Sequence, residues 1–317
     1  MKISIIVRAR NEASHLPRLI EGLECQTIMP FEVVLVDSGS TDRTVEIAEA
    51  AGWVIAHIAS EDFSFGRALN VGCSAARGDV LVILSAHVYP TRRDFLERLT
   101  ASVLPSSRVA VYGRQVGDHR THFSEQMVMK QWFPNERIPD QGHAFSNNAN
   151  SCVPRALWQE FQYNETLTGL EDIDFSLRLL SSGGQVRYEH DAPVVHVHEE
   201  NFSTVKNRYR REAIAYKRIF PGEKMSAQRA LALLIKNVLR DLNEARRELV
   251  FFQVLGSVFW FRIAQFVGAW QGFRDSSIVD SELQRRMYYP PGFDPHSDGD
   301  ADDSEMLISY SRKVSNE

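Results

Sequence analysis

Apolar, β-branched runs at residues 3–7, 31–36, 53–58 and 79–84 are separated by segments of helical spacing at 13–25, 44–51 and 67–76. This alternation leaves few folds open. In the first helical segment Leu16, Leu19, Ile20 and Leu23 share one face. A strand that is followed by a helix and then another strand returns to the same sheet through a crossover. The strands then run parallel, and helices cover both faces. The expected class is α/β with a mostly parallel central sheet. Ligands of such sheets sit beyond the carboxyl ends of the strands. Two polar segments fall there: Asp37-Ser38-Gly39-Ser40-Thr41-Asp42 after the second strand and Ser85-Ala86-His87 after the fourth.

The remainder is less regular. Residues 113–150 are rich in Gly, Pro, His and Asn and read as a long functional or mobile loop. Gly169-Leu170-Glu171-Asp172 introduces a helix over 173–180, and a short strand over 194–198 ends in His196-Val197-His198. A basic helix comes next at 206–219, and 227–274 is strongly helical. From Asp275 the chain turns polar, and 294–305 is acidic, so a disordered tail is expected. Three units result: an α/β domain over 1–220, a helical extension over 221–275 and the tail over 276–317.

With 317 residues the chain can bury a large core. A formal charge of −5 argues against nucleic acid as a partner. Cys25, Cys73 and Cys152 show no metal-ligand spacing and read as reduced thiols of a cytoplasmic protein. The first apolar run is too short for an export signal, and it is cut off by Arg8 and Arg10. No run of about 18 uncharged apolar residues occurs. The nearest, 249–270, is broken by Gln253, Arg262 and Gln265. That segment reads either as a helix buried against the α/β domain or as a helix lying in a membrane interface.

Several residues carry chemistry if they meet. Asp37 at a sheet edge caps a helix or accepts from a nucleobase N–H. Arg67 starts a helix or turns its fork of donors toward phosphate oxygens. Glu171 and Asp172 suit the first turn of a helix, and they also suit general-base work on an acceptor hydroxyl. His196 and His198 lie on the same side of their strand. With His87 they form a candidate metal site, although imidazole suits Mn²⁺ or Mg²⁺ less well than carboxylate does. Lys206, Arg208, Arg210, Arg211, Lys217 and Arg218 give a basic helix, which reads as a solvated face, a diphosphate clamp or a contact with anionic lipid.

Taken in order, these residues resemble the family 2 glycosyltransferases of GT-A fold, and most of all the rhamnosyltransferase-type enzymes of bacterial O-antigen and capsule assembly. The resemblance runs from Ile3 to about His198. It includes residues 5–12, 34–42 and 66–72, the strand before Ser85-Ala86-His87, Glu171-Asp172-Ile173-Asp174 with Leu177-Arg178, and His196. It implies a GT-A nucleotide-sugar-binding domain followed by C-terminal helices. It also implies inverting transfer from a nucleotide-sugar donor to a glycan or lipid-linked acceptor, at the inner face of the cell membrane. By resemblance Asp172 is the base with Glu171 beside it. The donor set is Asn11, Glu12, Asp37, Ser40, Arg67, Asn70, Ser85, Arg208 and Arg211. His87, His196 and His198 hold a divalent cation, Mn²⁺ or Mg²⁺. One departure stands out: Ser85-Ala86-His87 occupies the place of the family's Asp-X-Asp. A degenerate domain acting as a binding subunit and a sugar nucleotidyltransferase are the rival readings. The second expects a Gly-rich basic loop after the first strand, which Arg8-Ala9-Arg10-Asn11-Glu12 does not supply.

Overall fold

The computed structural model describes residues 1–136, 138, 141–275 and 307–310. Its first half follows the expected alternation: β1 (Ile3–Ala9), α1 (Leu16–Glu24), β2 (Glu32–Asp37), α2 (Thr44–Ala50), β3 (Val54–His57), α3 (Phe65–Ala75) and β4 (Val80–Ser85). Then come β5 (Val88–Pro90), α4 (Phe95–Thr100), β6 (Val109–Val116), α5 (Phe123–Trp132), β7 (Asn150–Pro154), α6 (Arg155–Phe161), α7 (Glu171–Ser181) and β8 (Gln185–His196). Three helices follow: α8 (Phe202–Ile219), α9 (Ala227–Arg247) and α10 (Phe251–Arg274).

The eight strands form one sheet in the order β3-β2-β1-β4-β7-β6-β8-β5. β3, β2, β1 and β4 run parallel, as do β6 and β8. β7 is antiparallel to β4 and β6, and β5 to β8. Alternation along β1 decides which helices cover which face. Ile5 and Val7 pack with Leu16 and Leu19 of α1 and Phe95 and Leu99 of α4, while Ile6 packs with Leu69 of α3, Trp158 of α6 and Phe175 of α7. Both faces are thus buried, as the continuous apolar strands require.

The structure departs from the sequence reading in the middle and at the end. Residues 113–150 are not one irregular loop. They contain the end of β6 and the three-turn helix α5, whose Phe123 and Met127 anchor it to α9 and α10. The final strand is longer than expected, and His198 lies two residues beyond it. The stretch 227–274 is two helices, parted at Leu249, which adopts φ +60.

α10 crosses α8 at close range because Gly268 and Gly272 present no Cβ where the carbonyls of Lys206 and Arg210 lie. Arg262, the charge that breaks the apolar run, does not face solvent. It is 1% exposed and donates to Asp241 of α9 at 2.6 Å and to the Ser124 carbonyl of α5 at 3.0 Å. A buried pair of this kind is costly to break from one side, by roughly 3–5 kcal/mol. It fixes α9 and α10 to α5. The outer surface of this pair carries an apolar stripe among charged residues: Leu231, Ile235 and Leu239 follow one line of α9, and Leu249 and Phe252 project at the turn. α10 is long and apolar enough to cross a membrane by length and composition, and 33% of its most apolar window is buried inside the protein.

Of the expected tail, residues 307–310 are described, and they pack on the sheet edge. The Ile308 N–H donates to the Thr91 carbonyl at 3.0 Å, and the Tyr310 ring meets Tyr89 edge-on. The rest of the tail lies outside the described residues.

Candidate active site

The site assembles at the carboxyl ends of β1, β2 and β4, where the alternation placed it. Register pairs Ala9 with Asp37 and Arg8 with Ser85. Two loops are stitched together there. The Asn11 N–H donates to Ser40 Oγ at 2.9 Å, and the Thr41 N–H donates to Asn11 Oδ1 at 2.8 Å. Asn11 sits at φ +55, a conformation that asparagine tolerates better than most residues. Asp37 accepts from the backbone of Gly39 and Ser40 at 3.1–3.3 Å and is 4% exposed.

Three histidines converge at the other end of this edge. Antiparallel pairing of β5 with β8 sets Val88 opposite His196, and the Val197 N–H donates to the His87 carbonyl. The His87 and His196 rings stack with centroids 5.0 Å apart. Each imidazole is held through Nδ1. His87 pairs with Glu12 Oε1 at 2.8 Å, His196 with Gln115 Oε1 at 2.7 Å and His198 with Glu125 Oε1 at 2.6 Å. An oxygen acceptor at Nδ1 places the proton there and leaves Nε2 as the lone-pair nitrogen. The Nε2 atoms of His196 and His198 lie 2.9 Å apart. Two lone pairs at that distance repel unless a proton or a metal ion is shared. One ligand atom from each of His87, His196 and His198 lies within 4.8 Å of the other two. Anchored imidazoles with ligand nitrogens this close together fit a divalent cation.

The surroundings tune these groups. Burial opposes charge on His87, but the Glu12 carboxylate outweighs it and raises the pKa. Burial, followed by the neighbouring His198 and His87, pushes His196 well below the usual histidine range. Burial works to raise Glu125, yet Arg208 and then His198 outweigh it and hold this carboxylate at about 2. Arg208 donates to Glu125 at 2.6 Å.

Glu171 and Asp172 open α7 after Leu170, a non-glycine residue at φ +57. Glu171 meets Arg8 at 3.4 Å. Asp172 accepts from the Ile173 N–H at 2.8 Å and the Asn148 N–H at 3.1 Å. Burial, with the adjacent Glu171 charge, raises Asp172 to about 7. Asp172, His196, His198 and Arg208 line one cavity of about 240 Å³ between α5, α7, α8 and α9.

The structure redistributes several expected roles. Glu12 anchors His87 instead of standing free beside a donor. Ser85 turns its Oγ to His87 Nε2 at 3.2 Å. Arg208 grips Glu125. Arg67 does not join the cluster: its side chain is 44% exposed and lies 3.7 Å from Asp62. Asn70 is a fixture of the core. Its Nδ2 donates to the Tyr163 carbonyl and Glu165, and its Oδ1 accepts from Trp158 Nε1 and the Tyr163 N–H, all at 2.9–3.0 Å. Arg211 lies over the Phe65 ring at 4.8 Å, and Arg8 over the same ring at 4.9 Å. Sequence reasoning missed Arg8 as a site residue, since it only ended an apolar run. Its position at the carboxyl end of β1, paired with Ser85, was the available signal. Gln115 and Glu125 were hidden in the stretch that reads as loop.

The sequence model described as Glycosyl transferase family 2 matches residues 4–162. The O-antigen chain rhamnosyltransferase RfbN of Salmonella typhimurium is 26% identical over 211 residues, which are 62% of this chain and 67% of that protein. The undecaprenyl-phosphate 4-deoxy-4-formamido-L-arabinose transferase of Pseudomonas paraeruginosa is 34% identical over 92 residues, 26% of this chain and 27% of its own length. The chain thus spans little more than a quarter of that second relative. Among solved structures, the mannosyltransferase PcManGT of Pyrobaculum calidifontis, in complex with GDP-Man and Mn²⁺, superposes with a TM-score of 0.56 at 16% identity and covers 92% of this chain and 88% of its own. That likeness is one of fold, the GT-A arrangement.

The four bonds of Asn70 give a direct test. Asn70→Ala strands the Trp158 and Tyr163 groups in the core and should cost about 2–4 kcal/mol in chemical denaturation. Nucleotide affinity of the folded variant should be unchanged. A stable variant with weakened nucleotide binding would return Asn70 to the donor set.

Proposed function

The chain belongs to glycosyl transferase family 2, and from that membership we propose that it is an inverting enzyme. It moves a sugar from a nucleotide-activated donor to a hydroxyl of a glycan or lipid-linked acceptor. The observation that carries this reading is the shared cavity of Asp172, His196 and His198. A base and a candidate cation site face one space. Asp172 is the general base: at about 7 its pKa leaves about half of it ionised at neutral pH and makes it basic enough to take the acceptor proton as the bond to the anomeric carbon forms. Glu171 raises that basicity and is itself steadied by Arg8. Asp37 at the edge of β2 receives the nucleobase. His87, His196 and His198 hold the cation, which neutralises charge on the donor diphosphate. Both ions prefer carboxylate oxygen, and of the two the softer Mn²⁺ accepts imidazole nitrogen more readily than Mg²⁺. Arg8 and Arg211, in place of Arg67, carry positive charge toward the same region. The intact convergence of these groups favours catalysis over a scaffold role.

Asp172→Asn keeps the shape and removes the base, so kcat should fall about 100- to 10,000-fold with donor affinity preserved. In the parent protein kcat/KM should rise roughly tenfold per pH unit below about 7 and level off above it, since the carboxylate is the active form. The same elevation makes the folded protein bind this proton more tightly than the unfolded chain does. Its contribution to stability is therefore full below about pH 4 and is lost as pH rises through about 7. Near-normal turnover in the variant would move the role to Glu171.

Metal dependence is checked with a chelator. EDTA should abolish transfer, and Mn²⁺ should restore it better than Mg²⁺. Glu125→Gln removes the charge that orients His198 and should weaken Mn²⁺ affinity about 10- to 100-fold by calorimetry. Full activity in EDTA contradicts this part of the account.

The outer stripe of α9 suits the inner face of a membrane, where a lipid-linked acceptor would be found. Leu231, Ile235 and Leu239 are exposed, and Lys236, Arg246 and Arg247 lie close by in sequence. Each basic residue adds about 1 kcal/mol if it meets an anionic leaflet. The full chain should float with anionic liposomes, and a triple variant with Glu at the three apolar positions should not. Equal flotation of both, or of neither, removes this face from the membrane.

A further inference from the structure

The cavity that contains Asp172 has a second wall that proton abstraction does not use. Trp132, at the end of α5, belongs to it, and so does Phe145. Trp132 is 44% exposed, yet it is not loose. Phe145 stacks on it with centroids 4.5 Å apart and planes 18° from parallel. Phe145 in turn meets the buried Tyr112 edge-on at 5.5 Å. The Tyr112 hydroxyl donates to Gln141 at 2.7 Å, which ties the segment carrying Phe145 to β6. The indole is therefore backed by a braced aromatic column, and it lines the cavity while 44% exposed.

A flat, backed aromatic surface beside polar groups fits the C–H face of a pyranose. The ring's C–H bonds rest on the electron-rich π face, while its hydroxyls require donors and acceptors around the rim. The same cavity holds polar groups of this kind. Gln115 Nε2 and Arg208 Nε are buried donors, Glu125 Oε2 is a buried acceptor, and none of the three atoms has a partner among the described residues. All three residues line the cavity. The wall is also tied to the base. Ser146 Oγ bonds Ser176 Oγ at 2.8 Å, and the Asn148 N–H donates to Asp172. Three residues of chain separate Phe145 from Asn148, a span of at most about 10 Å, and Trp132, Phe145 and Asp172 line the same cavity.

We propose that Trp132, backed by Phe145, is a saccharide subsite for the acceptor. The enzyme takes an acceptor that already bears a sugar and holds that ring on the indole while a hydroxyl reaches Asp172. The inference rests on the transferase reading above and narrows its acceptor from a bare lipid phosphate to a glycan.

Saturation-transfer NMR on the full chain, with octyl glycosides of the common hexoses and 6-deoxyhexoses as probes, tests it. At least one glycoside should bind saturably, with transfer strongest at its ring C–H protons. Trp132→Ala should weaken that binding at least about tenfold, and Trp132→Phe should retain most of it. Binding of UDP, GDP or dTDP with Mn²⁺, followed by thermal shift, should be the same in all three proteins. If nucleoside diphosphates bind and no glycoside does, or if a bound glycoside is indifferent to Trp132→Ala, the subsite is overturned. If a glycoside binds through Trp132 and no nucleotide binds, the donor reading fails and the subsite stands.

Discussion

Three Nδ1 hydrogen bonds organise this molecule. Glu12, Gln115 and Glu125 each bond the Nδ1 of one histidine, and one ligand nitrogen from each ring lies within 4.8 Å of the other two. The three anchors come from widely separated parts of the chain. Glu12 follows β1, Gln115 lies near the end of β6, and Glu125 belongs to α5. The site therefore exists only when the parallel sheet, the β5–β8 pairing and the placement of α5 are all correct. The C-terminal helices enter this dependence through Arg262, which reaches the Ser124 carbonyl, next to Glu125, from a buried bond to Asp241. What looks like an appended helical unit is thus a brace for a histidine far upstream in the chain.

Charge is arranged around this point in two opposed pairs. Glu125 is kept ionised by Arg208 and His198 despite its burial. Asp172 is pushed the other way, to about 7, by burial and by Glu171. One carboxylate is held charged by its cationic partners, and the other has its proton affinity raised by burial, which is the ground on which the base role is proposed. Environments that drive two titratable groups apart are the usual means of separating an acid–base role from a structural one.

Much of the fold was legible in the sequence, because strand and helix periodicities differ and the first 85 residues follow them without conflict. The grouping of the histidines was legible in part: His-X-His near a strand end and His87 in the place of a cation motif marked a candidate metal site, beside the commoner reading of structural histidines. Other features carried no local signal. α5 is amphipathic only weakly and sits among Gly, His and Asn, so it reads as loop, and Glu125 was lost with it. Arg262 looked like an interruption because its partner Asp241 lies a helix away. Asn70 and Arg67 stood in the same motif-like stretch, and only tertiary packing separates them. One is enclosed by four hydrogen bonds, and the other faces solvent.

Pulsed EPR of Mn²⁺ bound to the full chain tests the central claim most directly. If the three imidazoles share a cation through Nε2, the spectrum shows ¹⁴N couplings from three histidines, and His198→Ala removes one of them while Mn²⁺ remains bound. Stoichiometric Mn²⁺ with oxygen ligands alone, or no Mn²⁺ bound at all, would contradict it.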